Sequence, residues 1–272
     1  MYDRILVPLD GSHFSEEIIP YAAGLAAVHG TELTLLRVVD KETGQDQAAD
    51  YVERLAASHK ARGLCLLDPG DVAQAILKEA GCEPATLLAM TSHGHSGLME
   101  IMLGSVAQRV VRDADGPVLV YHPTGAKMSD PAPIRLRSVV LPIKGHSLHE
   151  AMASHAAQFA RWIDAELEVV NAVQATGAAG VGGKFGNGIS MQESSYVRSK
   201  AAEFAQHHGV RINWEVLHGE PARAIIDHVV NRRDTILAMV TRCRGALEAA
   251  FLGSVTLNCL RKAGVPILMR LP

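Results

Sequence analysis

The stretch AMTSHGHSGLMEIMLGSV at residues 89–106 is written a second time, as AMVTRCRGALEAAFLGSV at residues 238–255. The two align without a gap. Each follows a strand-like apolar run and leads into a helix-like pattern, so the chain carries an internal duplication, and a repeat fixes the fold class before any single element does. The copies differ where chemistry resides: Gly94 in the first stands against Cys243 in the second. Backbone approaches an anion closely only where no side chain intervenes. The first copy is therefore the one expected to bind.

Outward from the repeat, the first half alternates short apolar strands (4–9, 33–39, 64–67, 86–90, 118–121) with helical patterns (15–28, 47–62, 72–80, 104–112). Gly30 and Gly63 serve as helix stops. Strands this apolar, separated by helices, indicate a parallel sheet covered on both faces. Residues 123–136, rich in proline, read as a linker between domains at 1–122 and 137–272. The second half repeats the order, with strands at 138–143, 167–173, 211–217, 235–240 and 267–270 and helices at 148–162, 192–208, 221–231 and 253–263. Val7-Pro8 matches Leu141-Pro142 at an offset of 134, and Gly70-Asp71 matches Gly219-Glu220 at 149. The difference places an insertion at about 176–190.

At 272 residues, the chain accommodates two domains of ordinary size. A net charge of −3 supplies no field for nucleic acid or an anionic membrane. Aromatic content of 4% argues against base-stacking platforms. The four cysteines are scattered without a C-x-x-C pair, as expected of reduced thiols in a cytosolic protein. No apolar run approaches the roughly 18 residues that span a bilayer. The N-terminus runs straight into a strand, which predicts no signal peptide and a cytoplasmic location.

In open α/β sheets, ligands bind at the carboxyl ends of the strands. The AMTSHG…LGSV segment lies at such an edge. Gly94 leaves room for phosphate, and the amides of Gly104, Ser105 and Val106 open a helix whose positive end favours anions. Asp10 ends the first strand at the same edge, where its carboxylate suits a ribose hydroxyl or simply makes the Asp-Gly-Ser turn. The second copy has Lys144 there, so one acceptor-dependent site cannot serve both halves.

These residues resemble the universal stress proteins, and the whole chain is similar to a tandem pair of such domains. The family's nucleotide pattern is G-x2-G-x9-G-[ST]. Gly94, nine residues and Gly104-Ser105 match its last two elements, while Thr91 stands at the first glycine. ILVPLDGS, LLRVVD and GPVLVYHP extend the match. The resemblance implies two Rossmann-like (adenine nucleotide alpha hydrolase-like) α/β domains, each a five-stranded parallel sheet with helices on both faces, related by a pseudo-two-fold. It implies ATP, with or without Mg2+, in the first domain only. Pro8, Leu9, Asp10 and Val38 would surround adenine and ribose, Met90, His93 and Gly94 would form a wall, and Gly104, Ser105 and Val106 would hold the phosphates. By the same analogy the last strands, 118–121 and 267–270, pair antiparallel within one chain. Further homodimerisation is left open.

Three other motifs carry less. GVGGKFGNG at 180–188 has no Gly-Lys-[ST]. The Gly94–Gly97 run lacks the glycine a nucleophile elbow needs at Leu98. The thirteen histidines are dispersed, which argues against a metal site. Nothing resembles a catalytic base or an arginine finger, so any ATP hydrolysis is expected to be slow. A nucleotide-independent scaffold, with Thr91 marking a vestigial site, is the alternative.

Overall fold

The computed structural model describes residues 1–93, 103–125, 132–143, 150–173, 195, 197–199, 201–203, 205–240 and 252–270. Gly94, Lys144, Cys243, the insertion at 176–190 and parts of the expected helix at 192–208 lie outside the described residues.

Ten strands form one sheet: β1 (Arg4–Leu9), β2 (Glu32–Val39), β3 (Arg62–Leu67), β4 (Thr86–Thr91), β5 (Val118–Tyr121), β6 (Ser138–Ile143), β7 (Glu166–Val173), β8 (Ile212–His218), β9 (Thr235–Val240) and β10 (Ile267–Arg270). Their order is β3-β2-β1-β4-β5-β10-β9-β6-β7-β8. All neighbours are parallel except β5 and β10, which meet antiparallel at the centre. Each half is thus a parallel five-stranded α/β sheet, and the second repeats the strand order of the first.

The helices α1 (His13–Glu16), α2 (Ile19–His29), α3 (Gln45–His59), α4 (Val72–Cys82), α5 (Ser105–Asp113) and α6 (Glu150–Trp162) are followed by helices at Pro221–Val229 and Ser254–Lys262. The helix expected at 15–28 is two helices. Pro20 occupies the first turn of α2, where a missing N–H costs nothing, and the chain turns at Glu17 and Ile18 between them. The helix expected at 47–62 ends earlier, on Lys60 in the left-handed conformation (φ 54°). Gly63 lies in β3 instead, and its use is different. A Cβ there would stand 3.2 Å from Glu53 Cα, so glycine lets α3 pack directly on the strand.

Two apolar layers sandwich the sheet, and each runs through both halves. One joins α2, α3 and α6 residues such as Leu25, Val52 and Phe159; the other joins α4, α5 and their repeats, such as Ile76, Val110 and Leu260. The chain between the halves is held to the first. The buried Glu17 carboxylate accepts from Thr124 N at 2.8 Å and Gly125 N at 2.9 Å. Ile134 N donates to Pro20 O at 2.8 Å, and Gly24 is the cradle, since a Cβ on it would lie 1.8 Å from Ile134 O.

At the amino ends of the strands the two halves hold the same ion cluster with charges exchanged. Arg4, 1% exposed, donates to Glu79 Oε1 at 2.9 Å, Glu83 Oε1 at 3.1 Å and Thr86 Oγ1 at 3.1 Å. At the repeat-equivalent helix positions stand His228 and Arg232, and the carboxylate comes from the strand: Glu168 accepts from Ser138 Oγ at 2.8 Å, His228 Nε2 at 2.9 Å and Arg232 Nη1 at 3.0 Å. These donors hold the Glu168 carboxyl down at about 2 against its burial. Thr235, the counterpart of Thr86, is left with a buried hydroxyl that has no partner. An open cleft of about 300 Å³ adjoins Glu168, lined also by Asn213, Trp214, Glu215, His228 and Arg232.

Candidate functional site

The crevice begins with a proline. Strand β1 pairs with β2 along its length, to Leu9↔Arg37, but with β4 only as far as Leu6↔Leu88. Pro8 has no N–H to offer a ladder, and it stands where β1 and β4 have parted. From β1 the chain turns to the α2 face of the sheet, and from β4 it turns to the α5 face. That reversal between adjacent parallel strands is where open α/β sheets receive ligands. The second half repeats the device: β6 pairs with β9 only to Val140↔Leu237 and with β7 to Ile143↔Asn171, with Pro142 in between.

The structure gathers most of the expected residues of the first half at this edge. Asp10 follows β1 in a turn: its Oδ1 accepts from Ser12 N at 2.9 Å and Ser12 Oγ at 2.6 Å. Ser12 in turn caps α1. Val38 and Met90, 5% and 6% exposed, share the apolar layer on the α5 side, and Val106 packs against it. Leu9 is in the opposite layer, which leaves only its main chain for the crevice.

Thr91 closes β4 and donates its hydroxyl to His93 O at 3.1 Å. Gly104 N–H is already used, donating to Ser92 O at 2.7 Å. A Cβ on Gly104 would be 3.5 Å from Ser92 O and 3.9 Å from His93 Cβ, so the start of α5 sits directly on the end of β4. The N-cap of α5 is Gly104, which has no side chain to close it. Its first amides therefore remain an anion-attracting end, now supplied by Ser105 and Val106 rather than Gly104.

Three residues at this edge were not expected from sequence. Arg37 lies within an apolar strand, and its guanidinium donates to Leu9 O at 3.3 Å, beside Gly11. A cation in the run LLRVV was the signal available. Ser92 and His122 complete a buried polar cluster with His93: Ser92 Oγ lies 3.0 Å from His93 Nδ1 and 2.8 Å from His122 Nδ1. Burial lowers both imidazoles, His122 to about 4 with His93 and Arg261 adding to the effect. His93 Nε2 is buried without a hydrogen-bond partner.

In the second half, Asn171 occupies the place of Arg37. Gly253 opens its helix with φ 71° where Gly104 has −62°, so the two Gly-Ser turns differ in backbone as well as surroundings. Among the described residues no group of His, Cys, Asp and Glu is arranged to hold a metal ion, and no helix is long and apolar enough to cross a membrane.

The model of the universal stress protein family matches the chain twice, at residues 1–122 and 135–269. The chain belongs to the universal stress protein family. It carries two universal stress protein domains in tandem. A universal stress protein of Methanocaldococcus jannaschii is 31% identical over 140 residues, covering 44% of this chain and 82% of that protein. One of Mycobacterium tuberculosis is 24% identical over 292 residues, covering 97% of this chain and 96% of that one. The crystal structure of a universal stress protein from Archaeoglobus fulgidus, 18% identical, covers 100% of this chain and 99% of its own with a TM-score of 0.62. At that identity the likeness is one of fold.

Proposed function

We propose that this universal stress protein is a stress-response regulatory module that binds ATP in the β1/β4 crevice of its first domain, residues 1–122. Domain 2, residues 137–272, serves mainly as a packing partner across the linker 123–136. The observation that carries the reading is the start of α5, a helix of nine residues whose N-cap is a glycine: it is seated on the end of β4, with a Cβ on Gly104 3.9 Å from His93 Cβ, and His93 Nε2 is buried without a partner. A phosphate group satisfies both features, and buried polar groups otherwise cost free energy. Asp10, fixed by its turn, would accept from the ribose, Val38 and Met90 would meet adenine, and Pro8 and Leu9 would contribute main chain. Gly94 would complete the phosphate loop. Mg2+ would ride on the phosphates, since among the described residues no cluster of carboxylates is arranged to hold it.

ATP acts here as a ligand that stabilises or switches a conformation, with hydrolysis slow at most. Pairing of β5 with β10 gives one chain a pseudo-two-fold pair of domains, proposed to act in the cytoplasm, with further homodimerisation left open. The test is to denature purified protein and measure released adenine nucleotide by absorbance and mass. A companion thermal titration compares wild type with Asp10→Ala. ATP at 100-fold above Kd should stabilise the wild type by about 2.7 kcal/mol. No shift at millimolar ATP favours the alternative, a nucleotide-independent scaffold.

A further inference from the structure

One hydroxyl stands between two imidazoles. Ser92 Oγ is within hydrogen-bond distance of Nδ1 on both His93 and His122, and the rings lie edge to face with centroids 4.7 Å apart. A serine has one proton to donate, so it can donate to one Nδ1 and must accept from the other. With both rings neutral, they are then forced into opposite tautomers. If Ser92 donates to His93 Nδ1, His93 carries its proton on Nε2, while His122 carries its own on Nδ1 and donates it to Ser92. The reverse arrangement leaves His93 Nε2 bare and puts a proton on His122 Nε2.

We propose that Ser92 couples His93 and His122 as a tautomer pair. Its open end, His93 Nε2, is the donor for an anionic group bound at the start of α5, and its far end carries that contact to His122, the residue that precedes the linker. The anion half of this proposal rests on the nucleotide-binding reading; the coupling half does not. His93 is 4% exposed, its Nε2 is buried without a partner, and its Cβ lies 3.9 Å from where a Cβ on Gly104 would stand, so the ring carries an unsatisfied donor or acceptor close to the start of α5. An anion requires the Nε2–H form. Selecting it sends the Ser92 proton to His93 Nδ1 as a hydrogen bond and requires His122 to hold its proton on Nδ1. A proton gained at His93 Nε2 is balanced by one lost from His122 Nε2, with no net change in charge.

The cluster has fixed surroundings. His93 faces Phe14 of α1 at 6.3 Å between ring centroids and feels the Glu17 carboxylate; His122 feels Arg261. Burial keeps both rings neutral at neutral pH. Glu17, which binds Thr124 and Gly125, places the residues just after His122 against α1. The second half does not carry the pair in its sequence: Thr241, Arg242 and Leu271 stand at the positions of Ser92, His93 and His122. Ser92 and His122 are positioning residues, and His93 is the contact.

The test is long-range 1H–15N correlation of the imidazole nitrogens in uniformly 15N-labelled protein at neutral pH. His93→Gln and His122→Gln provide assignments. The expected result is opposite tautomers for the two rings, with ATP moving His93 Nε2 and, through Ser92, His122 Nδ1. In Ser92→Ala, ATP should move His93 alone. Identical tautomers in the wild type overturn the coupling. Inorganic pyrophosphate serves as a second probe. If it moves both rings while ATP leaves the melting temperature unchanged, the nucleotide reading fails and the anion contact stands. If neither probe moves His93, the contact is wrong.

Discussion

Leu119 of β5 and Leu268 of β10 face each other at the antiparallel centre of the sheet, and they are the same residue of the two repeats, 149 positions apart. Their flanking pairs, Val120 with Ile267 and Val118 with Met269, are exchanged by the same symmetry. The pseudo-two-fold therefore passes between these leucines, and both are fully buried. Pairing there also removes two apolar edges that would invite association.

Truncating either leucine should cost about the same, because the environments are equivalent. Leu119→Ala and Leu268→Ala are each expected to lower stability by about 2–5 kcal/mol. The double variant should depart from additivity, since the side chains are direct neighbours. Urea unfolding of the three variants measures this.

Gly24 and Gly81 make a matched pair of helical glycines. Alanine at Gly24 would drive its Cβ into the Ile134 carbonyl and must displace the return of the linker, a cost of about 1–3 kcal/mol. Alanine at Gly81 meets nothing within 4 Å and should stabilise α4 by up to about 1 kcal/mol. Opposite signs in calorimetric melting temperature are the expected outcome.

The strands and most helices were legible because apolar runs and their glycine and proline punctuation report local structure. The internal repeat gave the order of the second half. Legibility ended where partners are distant in sequence. Nothing local links Arg4 to Glu79, or Glu168 to Arg232, so the exchanged charge clusters appear only once the strands are assembled. His122 stands at the end of the first domain, just before the run read as linker, and its contact with Ser92 spans thirty residues. Lys60 ended α3 where a glycine was expected, since a single residue can hold the left-handed conformation at modest cost.

Acid should find Glu168 late. Its folded pKa of about 2 lies below the ordinary 4.5, so its contribution is complete above 4.5 and is lost as pH falls toward 2. Glu168→Gln should cost roughly 3 kcal/mol at neutral pH, by leaving Arg232 without its carboxylate, and should flatten the stability profile in that window. Denaturant titrations from pH 5 to pH 2 compare the two slopes.

His155 acts at higher pH. It meets Tyr2 OH at 2.9 Å, and burial lowers it to about 4 from 6.5. The unfolded chain therefore binds the extra proton between those values, and stability declines as pH falls from 6.5 toward 4. His155→Gln should remove part of that decline and leave the Glu168 window unchanged, as read from the same titrations extended up to pH 7.

Gly104 lies at φ −62°, ψ 154°, a conformation open to any residue, and a Cβ there makes only ordinary contacts. Gly104→Val should therefore fold while crowding the start of α5. Isothermal titration of ATP into wild type, Gly104→Val and a control at the start of the second domain's last helix, Ser254→Val, tests the central claim most directly. The account predicts one ATP per chain, lost in Gly104→Val and retained in Ser254→Val. Two ATP per chain, or loss of binding in Ser254→Val with Gly104→Val unaffected, would contradict it.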